Sequence, residues 1–177
     1  MPFRSEYEMA NAVAEHFAKS AQQVKVGDCI LDVVAYDKKQ RVFRIVECKL
    51  GHCARTIGHA FGQISAYIAV LSALEREKDF IDAFTRKMPL RYGRMMEATR
   101  NNTQLRVAFY VALTDGACQN IELIRSLKRL LPNVGIIRVK ANGKCRDYLR
   151  YNGKKEAKLA EAVPTVIHIV SGASDVV

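Results

Sequence analysis

The sequence predicts an α/β protein built on a central mixed sheet. Three observations carry that reading. A capped, amphipathic helical segment opens the chain, two runs rich in β-branched residues follow across a short polar connection, and helical and strand-like segments then alternate. Size and composition agree: 177 residues, 49% hydrophobic and 26% charged, suit one globular domain with a real core. They exclude a collagen, a disordered tail or a bare coiled coil. No repeat or Pro/Ser-rich linker divides the chain. The domain is therefore read as 1–177, with a core over about 5–114, an extension over 115–170 and a loose tail over 171–177.

Ser5 followed three residues later by Glu8 forms a capping box, so a helix is expected from Glu6 to Lys19. At helical periodicity its apolar face carries Met9, Ala10, Val13 and Phe17, and Glu6 lies in that same sector. Asp28–Tyr36 and Val42–Leu50 read as strands, joined by the polar stretch Asp37–Gln40, and a short strand at Gln23–Val26 precedes them. A long helix is expected over Ile57–Lys78, with Gln63, Tyr67, Val70, Leu71 and Leu74 on one face. Helical segments interrupted at Pro89 and Gly93 follow. Arg106–Thr114 is almost continuously apolar, as a central strand should be, and Asp115-Gly116 is expected to stop it. A helix over Asn120–Leu131 ends at Pro132. Val134–Lys140 and Lys144–Tyr151 read as a hairpin about Asn142-Gly143, a type I′ turn signal, and Val166–Val170 as a last strand.

Charge and cysteine usage narrow the function. Lys and Arg total 28 against 18 Asp and Glu, a net charge of +10. The excess is clustered. Residues 86–106 hold six cations against one acid, residues 138–158 hold eight against two, and the remainder is close to neutral. Clustered cations point to a polyanion, and nucleic acid is favoured over a membrane surface. Arg91 and Arg94 in the first cluster, and Lys144, Arg146 and Arg150 in the second, are the candidate phosphate contacts. Tyr148 and Tyr151 interleave with the second group and suit stacking on bases or sugars. Arg55, just ahead of the long helix, is a further candidate.

The stretch Ile57–Leu74 carries no formal charge, but its glycines, serines, His59 and Gln63 read as a buried helix, and no membrane association is expected. The five cysteines are scattered without a C-x-x-C pair, and the opening residues lack the apolar run of a signal peptide. A cytoplasmic protein with free thiols is expected. The loop Gly51–His59 holds His52, Cys53 and His59, but in a spacing that fits no standard zinc site.

The neutral part of the chain places acids in apolar surroundings. Asp32 interrupts CILDVVAY, and Glu47 and Lys49 end FRIVECKL. Residues two apart on a strand share a face, so Glu47 and Lys49 project together and the Cys48 side chain opposes them. If the strands pair, Asp32 lies beside Glu47. Neighbouring carboxylates repel and resist desolvation, and a hard dication such as Mg²⁺ resolves both problems. Lys49 could orient a water or offset charge growing on a phosphate. Glu6 adds a third inward acid and Gln63 an amide on the long helix.

This pattern, Leu31-Asp32, then Glu47-Cys48-Lys49 at the end of the next strand, then a helix bearing Gln63, resembles the PD-(D/E)XK nuclease superfamily. The resemblance covers about residues 5–114. It implies a restriction-endonuclease-like αβββαβ core, a central mixed sheet flanked by helices, and Mg²⁺-dependent (or Mn²⁺-dependent) hydrolysis of phosphodiester bonds of DNA, with RNA less favoured. It implies Asp32, Glu47 and the Cys48 backbone carbonyl as metal ligands and Lys49 as the catalytic lysine. Glu6 and Gln63 match a helix-one Glu and a post-motif Gln carried by many members. Leu31 stands where the family name has Pro. The fold family often forms homodimers, which duplex cleavage would require. The alternative is a non-catalytic nucleic-acid-binding or assembly protein that keeps the fold.

Overall fold

A computed structural model of the chain describes residues 3–72, 77–88, 105–147 and 167–169. Helix α1 (Glu6–Ala14) opens it, followed by β1 (Ser20–Val26), β2 (Cys29–Asp37) and β3 (Val42–Lys49). Then come α2 (Ala54–Ser72), α3 (Glu77–Lys87), β4 (Leu105–Thr114), α4 (Asp115–Cys118) and α5 (Ile121–Leu130). The described residues close with β5 (Val134–Val139), β6 (Cys145–Asp147) and β7 (Ile167–Ile169). The strands form one mixed sheet in the order β1-β2-β3-β4-β5-β6, and β7 also pairs with β4. Pairing is antiparallel within β1-β2-β3, parallel for β3-β4 and β4-β5, and antiparallel for β5-β6. The architecture is α/β, a mixed sheet flanked by helices.

Strand β3 is buried along its whole length, because it has neighbours on both edges and helices on both faces. Phe43 and Ile45 face one core cluster, which takes Ile57, Phe61 and Ile64 from α2 and Phe80 and Phe84 from α3. Val42, Val46 and Cys48 face the other, which takes Met9 and Val13 from α1. The Phe43 ring meets Phe80 and Phe84 edge-on, at 5.0 and 5.4 Å between centroids. β3 also buries a cation. Arg44 donates to Asp37 Oδ2 (3.0 Å), Gln40 Oε1 (3.2 Å) and Tyr110 Oη (3.1 Å), with the Phe17 ring 5.9 Å away.

Several expectations need correction. α1 stops at Ala14, not Lys19: the Phe17 N–H and the Ser20 hydroxyl both donate to the Ala14 carbonyl, and the chain turns into β1. β1 begins at Ser20 because Ser20, Ala21 and Gln22 already find partners on β2. α2 begins at Ala54, before Ile57. Asp115-Gly116 opens the short helix α4, capped by the Thr114 hydroxyl, and does not simply end the strand. The Asn142-Gly143 turn is not type I′: only Gly143 has positive φ (76°), and its N–H donates to the Lys140 carbonyl. That is a turn followed by a left-handed glycine, which closes the hairpin with Val139 opposite Cys145. Expected features on residues 73–76, 89–104, 148–166 and 170–177 lie outside the described residues. Among the described residues, no helix is long and apolar enough to cross a membrane.

Candidate functional site

The site is built where β2 and β3 part. Their ladder ends at Val33–Val46, one step before Asp32 and Glu47 would face each other. The β1-β2 ladder also skips one step there, pairing Gln22 with Val33 and Val24 with Leu31 but not Gln23 with Asp32. Gln23 has φ of +52°. The consequence shows in the core: Leu31 and Val34, three apart and so on opposite faces of a regular strand, bury in the same cluster. The β1-β2 ribbon thus changes face at Asp32, and the Asp32 carboxylate is left at the break. Its Oδ1 accepts from Gln23 Nε2 (3.0 Å) and its Oδ2 from the Cys48 N–H (2.9 Å).

Glu47 sits 1% exposed beside it. Its Oε2 accepts a hydrogen bond from the Tyr67 hydroxyl of α2 (2.7 Å), and that hydroxyl also lies 2.9 Å from the Ile30 carbonyl. Its Oε1 lies 3.0 Å from Lys49 Nζ, an ion pair without hydrogen-bond alignment. Burial, and then the charge of Asp32, push the Glu47 carboxyl up to about 7, despite the opposing effects of Tyr67 and Lys49. Lys49 Nζ also contacts Glu6 Oε2 at 3.0 Å, so the ammonium bridges two carboxylates from β3 and α1. Burial lowers the Lys49 pKa, but the Glu47 and Glu6 contacts outweigh it, and the net shift is upward.

Lys49 thus contacts Glu47 and Glu6 directly, and Asp32 joins them through the Cys48 N–H and its charge on Glu47, not through strand pairing. Cys48 contributes only backbone. Its thiol is buried on the α1 side, and desolvation raises its pKa far above the ordinary range. Within an extended strand a residue's N–H and C=O point to the same edge, so the Cys48 carbonyl shares the edge on which its N–H meets Asp32. Gln63 lies one turn before Tyr67 on α2. Its Oε1 is buried without a hydrogen-bond partner, and no bond ties it to the carboxylates. The Asp32 carboxylate, a Glu47 carboxylate whose ionisation that neighbouring charge opposes, and a nearby carbonyl edge are a hard-oxygen donor set that could hold Mg²⁺ or Mn²⁺. Among the described residues, no group of three or more His, Cys, Asp or Glu side chains is disposed to hold a metal. In the loop before α2, the exposed Cys53 pairs its sulphur with Thr56 Oγ1 (3.1 Å).

The basic candidates divide. Arg55 is exposed in the first turn of α2 and Lys144 is exposed in the β5-β6 turn. That turn is tied to the end of α1 through His16 Nε2, which lies 3.0 Å from the Gly143 carbonyl and 3.2 Å from the Cys145 N–H. Arg146 is placed by its backbone alone, opposite Arg138. Arg91, Arg94 and Arg150 lie outside the described residues.

Two residues with a part in the site carried no sequence signal of it. Tyr67 reads as an ordinary member of an apolar helix face, and Gln23 as the start of a strand. In comparisons with known proteins, no family model, curated protein or solved structure matches the chain.

Proposed function

We propose that this chain is a metal-dependent nuclease that hydrolyses phosphodiester bonds of DNA on a restriction-endonuclease-like core. The observation that carries the reading is the convergence of Asp32, Glu47, Lys49 and Glu6 where β2 and β3 separate. The element order supports it too: a helix, three antiparallel strands, the helices α2 and α3, then a strand parallel to the third.

Asp32, Glu47 and the Cys48 carbonyl would hold Mg²⁺ or Mn²⁺, which when bound supplies Lewis-acid stabilisation of phosphoryl oxygens and a more acidic water. Lys49, kept protonated by the two glutamates, offsets negative charge developing on the phosphate. Glu6 orients that ammonium, and Tyr67 fixes the Glu47 carboxylate. Arg55 and Lys144, both exposed, would contact the backbone of the DNA, with the clustered cations supplying nonspecific attraction.

One observation favours a second reading. Lys49 ion-pairs with both Glu6 and Glu47, a bridge that could hold α1 to β3 as a purely structural contact in a non-catalytic nucleic-acid-binding protein. A single assay separates the two. Linear, nicked, branched and single-stranded DNA are incubated with Mg²⁺, Mn²⁺ or EDTA. Cleavage by the wild type, abolished by EDTA and lowered roughly a hundredfold to a thousandfold in Lys49→Ala and Asp32→Ala, is the expected result. DNA binding with no cleavage under any metal condition establishes the second reading instead.

A further inference from the structure

Among the described residues, two that are not glycine have positive φ, Gln23 and Arg41. Arg41 closes the β2-β3 connection, where a left-handed residue is ordinary. Gln23 is different, because it stands inside β1 with ladder pairs on either side. The left-handed region disfavours L-residues with a Cβ, and glutamine lacks the local hydrogen bonding that eases asparagine and aspartate into it. No glycine relieves the position. The conformation comes with one polar contact, from Gln23 Nε2 to Oδ1 of Asp32 at 3.0 Å. Strain retained at one point, directly against a candidate ligand, is the pattern expected where backbone conformation serves a site.

We propose that Gln23 is a positioning residue that sets the Asp32 carboxylate for a divalent cation; this rests on the nuclease reading, in which Asp32 is a ligand. A carboxylate offers about four lone-pair directions. The Gln23 amide engages one on Oδ1 and the Cys48 N–H one on Oδ2, so the group is held against rotation about Cβ–Cγ while each oxygen keeps acceptor capacity. An amide is the right chemistry for this task. A lysine or arginine in its place would hold Asp32 equally well but would neutralise it and compete with the metal. The kink at Gln23 is also the step at which the β1-β2 ribbon changes face, so one backbone feature both frees Asp32 from the ladder and brings its orienting donor alongside.

The test titrates Mn²⁺ into metal-free full-length protein, by calorimetry, for wild type, Gln23→Gly, Gln23→Asn and Asp32→Ala, with thermal unfolding of each. Glycine accepts positive φ, so Gln23→Gly is expected to keep or raise the Tm while Mn²⁺ affinity falls roughly tenfold to a hundredfold, the usual loss when a residue supporting a ligand is removed. Gln23→Asn, which tolerates the backbone but is one methylene short, should weaken Mn²⁺ in the same direction. A lowered Tm with unchanged Mn²⁺ affinity in both variants would make Gln23 merely structural and overturn the proposal while leaving the nuclease reading intact. Equal Mn²⁺ binding by wild type and Asp32→Ala would remove the metal site itself, and the role of Gln23 with it.

Discussion

At the scale of single residues, Glu47 is the most consequential group in the molecule. It is 1% exposed, feels the charge of Asp32, and has its pKa pushed up to about 7 from an ordinary 4.5. A carboxyl whose folded pKa lies above its unfolded one binds protons better in the folded state. Its contribution to stability is therefore complete below pH 4.5 and is lost as pH rises through about 7. The cost at high pH is on the order of 3 kcal/mol for a shift of this size. In EDTA, urea unfolding of wild type and Glu47→Gln should show the wild type losing ground to the variant by about that amount between acid and mildly alkaline pH. A gap that stays constant with pH would mean that Glu47 titrates normally. The acidic pattern was legible in the sequence at this scale because a charged residue in an apolar strand is conspicuous. Asp32, Glu47 and Lys49 were found on that signal, and Glu6 as an acid on the apolar face of the first helix. Gln23 was not, because a positive φ leaves no mark when the residue is glutamine.

At the scale of elements, the junction between β3 and α2 decides how Lys49 is presented. Gly51 has φ of +106°, and a Cβ there would lie 3.2 Å from Thr56 Oγ1 and 3.3 Å from Thr56 Cγ2. Gly51→Ala should cost roughly 1–3 kcal/mol, read from the urea midpoint. Gly58 lies within α2 with open space where a Cβ would sit. Gly58→Ala should instead stabilise by about 0.5–1 kcal/mol through helix propensity. Equal effects of the two would show that the junction carries no strain. The elements themselves were largely readable. Strong β-branched runs gave β2, β3 and β4, and capping gave the start of α1. Ends were missed where tertiary bonds decide: Ser20 closing on Ala14 shortened α1, and a left-handed Gly143 reshaped the β5-β6 turn. The burial of Arg44 was missed for a related reason, since Asp37, Gln40 and Tyr110 come together around it only once the sheet has formed.

At the scale of the whole molecule, charge governs encounter with a polyanion. With a net +10, DNA binding should weaken linearly in the logarithm of salt concentration. Lys144→Ala, in an exposed turn, should reduce that slope by about one phosphate contact and weaken binding evenly across DNA sequences. An unchanged slope, measured by fluorescence anisotropy between low and moderate salt, would place the DNA elsewhere on the surface. Sequence alone identified the charge clusters. It could not show that the turn bearing Lys144 is pinned to the end of α1, the helix that supplies Glu6, because His16 and Gly143 are 127 residues apart.

The gap between β2 and β3 has a mechanical meaning. Had the two strands stayed zipped past Val33 and Val46, the separation of Asp32 from Glu47 would be dictated by cross-strand spacing. Unzipped, that distance answers to the bend in the ribbon and to the donors that hold each acid, Gln23 and the Cys48 N–H on Asp32 and Tyr67 on Glu47, so local contacts set it and not the ladder.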